Sequence, residues 1–108
     1  MFAVGNECYI VSSSDFSREG LLKIKKLKII KKISDSKFQL DATPPITINE
    51  WAMNISSEDA VKMAVTFIIN KLEFKKDINK FNIKDFEYLE ENHSDLIFKY
   101  MDKIVEEY

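Results

Sequence analysis

Residues 21–33, Leu21-Leu22-Lys23-Ile24-Lys25-Lys26-Leu27-Lys28-Ile29-Ile30-Lys31-Lys32-Ile33, are the stretch on which the fold turns. Successive side chains alternate across a β-sheet, so a strand here puts Leu27, Ile29 and Ile33 on one face and Lys26, Lys28 and Lys32 on the other, with Ile30 as the exception. Wound as a helix, the same apolar residues scatter around the wheel. The spacing therefore predicts a strand, and its change of phase near Lys25 and Lys26 predicts a β-bulge there. Ser34-Asp35-Ser36 has the chemistry of a turn. Lys37-Phe38-Gln39-Leu40-Asp41 alternates again, so the two segments should pair as a hairpin.

Outward from this hairpin, Val4-Gly5-Asn6-Glu7 reads as a turn before Cys8-Tyr9-Ile10-Val11, a β-prone run closed by Ser12, Ser13, Ser14 and Asp15. A first strand is expected at about 7–12. Downstream, Pro44 and Pro45 exclude a helix and lead into Ile46-Thr47-Ile48, a short edge strand. Residues 1–50 thus read as a small antiparallel meander or barrel. Ser56 with Asp59 three positions on is a helix-capping pattern, and Ala60, Val61, Ala64, Val65, Ile68 and Leu72 then recur at helical spacing, widened by Met63, Phe67 and Ile69. Asn82 and Asp85 repeat the cap spacing. After them Phe86, Leu89, His93, Leu96, Ile97, Tyr100, Ile104 and Tyr108 predict one long amphipathic helix, or two broken near Asn92 and Ser94 with a second cap there. Trp51 is expected to fill the junction of the two halves. The expected architecture is α+β: one domain over residues 1–108, with a β unit at 1–50 packed against two or three helices in 56–108.

The chain has 108 residues, 45% of them apolar, including eight Phe, four Tyr and Trp51, which is enough to build a core. Cys8 is the sole cysteine, so neither an internal disulfide nor a cysteine zinc cluster can form, and a reducing compartment fits. No apolar run approaches the roughly 20 residues of a membrane helix. The first residues lack signal-peptide patterning, since Gly5, Asn6 and Glu7 interrupt them. A cytoplasmic location is the expectation.

Charge is divided unevenly. Residues 18–37 hold Arg18 and seven lysines against Glu19 and Asp35, a net +6, whereas 82–108 hold eight carboxylates against Lys84, Lys99 and Lys103, a net −5. Fields of one sign select partners of the other. Asp85, Glu87, Glu90, Glu91 and Asp95 on the last helical segment are candidates for contact with a partner protein that has a basic surface. Lys26, Lys28 and Lys32 are the alternative, tracking a phosphate backbone along a strand. Against nucleic acid stands the scarcity of base-reading residues, because Arg18 is the only arginine.

Catalytic chemistry has little to draw on. His93 is the only histidine and falls in phase with the apolar stripe, so a partly buried structural role is expected; a triad or multi-histidine metal site is excluded. Glu90, Glu91 and Asp95 near it read as a solvated face. Cys8 has no basic neighbour to activate its thiol. Two glycines cannot build a phosphate cradle, and the serines lack a nucleophile-elbow context. No cofactor or metal is expected, and no enzyme. Oligomeric state is open.

The runs Val4–Val11, Lys28-Ile29-Ile30 with Phe38-Gln39-Leu40-Asp41, and Ser56-Ser57-Glu58-Asp59-Ala60 resemble those of small phage and prophage proteins. Those proteins pair an SH3-like β unit with a helix opened by a Ser/Thr-x-Glu-(Glu/Asp)-Ala segment. The resemblance covers about 60 residues, has no counterpart for the acidic segment after 82, and carries over no functional residue. It implies a mobile-element origin and a non-enzymatic inhibitor of host defence or nucleic-acid-processing machinery, as anti-CRISPR proteins are, acting by steric occlusion. An immunity protein or antitoxin is the related alternative.

Overall fold

The computed structural model describes residues 2–12 and 22–106. In chain order they form β1 (Glu7–Ser12), β2 (Leu22–Ser34), β3 (Lys37–Leu40), β4 (Ile46–Asn49), a 3-10 turn (Glu50–Ala52), α1 (Ser57–Leu72), α2 (Ile83–Asn92), α3 (Ser94–Met101) and β5 (Ile104–Glu106). The fold is α+β. Strands β1 to β4 follow one another in an antiparallel sheet, β5 joins β2 in parallel, α1 packs on the sheet, and α2 and α3 pack against α1. Among the described residues no helix is long and apolar enough to cross a membrane.

The phase change in β2 has a different cause from the expected bulge. Pairing with β1 runs unbroken from Lys23↔Ser12 to Lys28↔Glu7, so no residue is inserted at Lys25 or Lys26. What changes is the side of the sheet that is covered. Leu22 and Ile24, on one face, are buried in a core with Ala64, Ile68 and Leu89 of the helices. Ile29, with Leu27 packed beside it, lies in a second core with Cys8, Ile10, Phe38, Leu40 and Met53. A strand covered on opposite faces in its two halves must show opposite parity in them, and the lysines occupy whichever face is left to water. The actual register shifts lie further on, between Ile29 and Lys31 and between Lys32 and Ser34, against β3. They turn Ile33 outward, to 45% exposure, so it does not join Leu27 and Ile29 as the alternation suggested. Ile30, the exception to that alternation, is 40% exposed.

The turn at Ser34-Asp35-Ser36 forms with the Ser36 backbone N–H donating to Ser34 Oγ at 3.4 Å, and β3 then pairs with β4 from Leu40↔Ile46 to Lys37↔Asn49. The 3-10 turn carries the chain back to β1. There Tyr9 and Asn54 exchange backbone hydrogen bonds of 2.8 and 2.9 Å, and the Asn54 side chain donates to Tyr9 O at 3.2 Å. The end of the β unit is thereby tied to its beginning. Trp51 sits at the expected junction but is only half-buried, on the wall of a cavity of about 440 Å³ shared with Val11, Leu22 and Phe67.

Helix α1 starts where the cap pattern placed it, with Ser56 Oγ accepting from the Asp59 N–H at 3.2 Å and Glu58 and Asp59 at the positive end of the helix dipole. Ala60, Met63, Ala64, Val65, Ile68 and Ile69 are buried; Leu72, read as part of that stripe, is 37% exposed. Two polar residues share this interior because each is satisfied one turn back. Thr66 Oγ1 donates to Lys62 O at 2.7 Å, and Asn70 Nδ2 to Thr66 O at 2.8 Å. Asn82 Oδ1 caps α2 through the Lys84 N–H at 2.9 Å.

The last segment is two helices. His93 leaves helical geometry at φ −140°, ψ 41°, closing α2 through its N–H to Leu89 O and opening α3 with its carbonyl; no side chain caps α3, so Ser94 does not play the capping part its sequence context suggests. The helical pattern also stops sooner than Ile104 and Tyr108 implied. Ile104 pairs with Leu22 in strand β5, and Tyr108 lies outside the described residues.

Candidate functional site

The acidic candidates sit on two consecutive helices. In α2, Phe86 and Leu89 are buried, and at 3.6 residues per turn Glu87 and Glu91 fall opposite them with Glu90 alongside. Asp85 occupies the other flank, one turn before Tyr88, and Asp95 is in the first turn of α3. All five carboxylates are exposed, and none takes part in an ion pair among the described residues. Glu90 and Glu91 are placed against local stability. They lie in the last turn of α2, which contains no basic residue, so their charges meet the negative end of the helix dipole, and Glu91 repeats the charge of Glu87 four residues earlier. On α3, Leu96, Ile97 and Tyr100 face the core while Phe98 is 82% exposed, one turn from Asp95. Phe98 is not among the candidates picked out above, although its aromatic side chain falls out of phase with that stripe.

The lysine candidates are not gathered in one row. Register places Lys26 and Lys28 on the face that carries Glu7 and Tyr9, whereas Lys23 and Lys25 lie opposite Ser12 and Ile10 on the other face. Lys26 Nζ is 3.5 Å from Glu7 Oε2 and 5.8 Å from the Tyr9 ring centroid. Lys32 lies beyond the first register shift, 3.8 Å from Asp35 Oδ1. Arg18, Ser13 and Ser14 lie outside the described residues.

Two features had no clear signal in the sequence. Glu73, at the C-terminal end of α1, accepts through Oε1 from Lys99 Nζ at 2.8 Å and from Tyr100 Oη at 2.7 Å, tying α1 to α3 across 26 and 27 residues of chain. These hydrogen bonds hold the Glu73 carboxyl below its ordinary range, and the bond to Glu73 raises both Lys99 and Tyr100. The second feature is a cavity of about 250 Å³ between the end of α1 and α2, lined by Asn70, Phe74, Lys76, Asp85, Tyr88 and His93, with Leu89 behind them. His93 is half-buried as expected. Its side-chain company is aromatic, with ring centroids 5.2 Å from Phe74 and 5.6 Å from Tyr88.

Cys8 is fully buried, and burial pushes its thiol up to about 11, so at neutral pH it holds its proton and is a poor nucleophile. Among the described residues no group of His, Cys, Asp and Glu is arranged to hold a metal ion. Comparisons with protein families, with curated proteins and with solved structures gave no match.

Proposed function

We propose that the protein is a non-enzymatic binding module that docks a basic surface of another protein through the outward side of α2 and the start of α3, and acts by occluding that surface. The observation that carries this reading is the placing of Glu90 and Glu91. Two exposed carboxylates at the negative end of a helix, with no ion-pair partner among the described residues, lower the stability of that helix, and residues that weaken their own fold are expected where a partner supplies the missing charge. Phe98 supports it as an exposed aromatic anchor beside Asp95, the combination of apolar centre and charged rim found in protein interfaces. A mobile-element inhibitor of host defence or nucleic-acid processing is the setting suggested by the resemblance of residues 4–60. The lysine route to nucleic acid is secondary, because Lys26 and Lys32 already face carboxylates.

The test is capture of partners from bacterial lysate, with and without nuclease, by the native chain and by Glu90→Lys/Glu91→Lys. A stoichiometric protein retained after nuclease by the native chain and lost by the variant, with the variant melting at equal or higher temperature, is the expected result. Undiminished capture by the variant overturns the reading. Recovery of nucleic acid alone, abolished by high salt, moves the function to the lysines.

A further inference from the structure

The cavity beside α2 has a composition that the acidic face alone does not explain. Three rings, Phe74, Tyr88 and His93, stand at 64° and 57° to one another around it, and Asp85 brings a carboxylate to the same space. Asn70 also lines it, with its Nδ2 committed to Thr66 O. Aromatic faces carry negative charge density, so rings and a carboxylate together favour a flat organic cation. Tyr88 and Phe74 are 56% and 41% exposed, so both rings are accessible to a ligand. The cavity adjoins the acidic face through Tyr88, one turn before Glu91, while Asp85 lies on the flank away from Glu90.

We propose that this cavity receives an arginine side chain of the partner protein, its guanidinium lying against Tyr88 and Phe74 and donating to Asp85. The proposal rests on the binding-module reading and names the anchor of that interface. Arginine is favoured over lysine because its planar, weakly hydrated guanidinium stacks on rings and donates in several directions at once, whereas an ammonium is a compact, strongly hydrated charge. At about 250 Å³ the cavity is large enough for that side chain. Lys76, which also lines the cavity, opposes a cation and supplies a test of sign.

The experiment is an NMR titration of the full chain with N-acetyl-L-arginine amide, following the ring resonances of Phe74, Tyr88 and His93. Saturable shifts are expected with a Kd on the order of 1 mM, as befits one anchoring residue. Asp85→Asn and Tyr88→Ala, both at exposed positions, should each weaken binding about fivefold, and Lys76→Ala should strengthen it roughly twofold. Glu90→Lys/Glu91→Lys, which lies outside the cavity, should retain the arginine-amide shifts while losing the partner, so failure of the pocket and failure of the helix reading are distinguishable. The proposal is overturned if arginine amide moves none of these resonances, if N-acetyl-L-lysine amide binds as well, or if N-acetyl-L-glutamate amide binds and Lys76→Ala abolishes it.

Discussion

Ile24 and Ile29 are both fully buried on one strand, although five positions apart they belong to opposite faces. Truncating each to alanine removes three carbons, worth about 2.4 kcal/mol by transfer at ~0.8 kcal/mol per methylene. A residual cavity in a closed site brings the expected loss to about 3–4 kcal/mol. Ile30 and Ile33 on the same strand keep 40% and 45% of their surface in water. Their truncation loses a little over half the transfer contribution and leaves no enclosed void, so about 1–1.5 kcal/mol is expected. Urea unfolding followed by far-ultraviolet circular dichroism and by Trp51 fluorescence reads these losses as shifts in midpoint at unchanged m-value. If Ile24→Ala costs no more than Ile30→Ala, the strand does not change its covered face and the two-core account of β2 fails. If the two probes give separate midpoints in the native chain, the cores on either side of the shared sheet do not unfold together.

Other outcomes follow from single contacts. Because the Glu73 carboxyl is held below its ordinary value of 4.5, its contribution to stability is complete above that pH and is lost as the pH falls through the lowered value. The melting temperature of the native chain should therefore drop on acidification below 4.5 more steeply than that of Glu73→Gln, and parallel curves would refute the tie to Lys99 and Tyr100. Ser56→Ala removes the acceptor of the Asp59 N–H and should cost about 1 kcal/mol, with Ser56→Gly costing only a few tenths, as read from urea midpoints. Cys8 should resist a thiol-reactive disulfide reagent in the folded chain and react promptly in denaturant; fast reaction without denaturant would contradict its burial.

Much of the fold was legible because its signals are local. The Ser56 cap, the Ser34-Asp35-Ser36 turn and the alternation of 37–41 each act within a few residues, and each forms as its chemistry dictates. Candidate-site residues were legible only as charges. That Asp85, Glu87, Glu90, Glu91 and Asp95 would be helical and exposed could be read from spacing. That Glu90 and Glu91 would end a helix was one of two alternatives the spacing left open, and the irregular backbone of His93 decides it by placing α2 and α3 on the rest of the core.

The α+β class, the strand order of the hairpin and the start of α1 were determined by the sequence on its own, since period, cap and turn chemistry depend on neighbours in the chain. Only the tertiary structure decided which face of β2 each core would cover, that residues 104–106 would leave the helical pattern to pair with β2, and that Phe74, Asp85, Tyr88 and His93 would line one cavity. Each of these depends on surfaces brought together from distant parts of the chain. Ile104-Val105-Glu106 has the same local propensities whether a helix face or a sheet edge receives it, and the available edge of β2 exists only once the chain has folded.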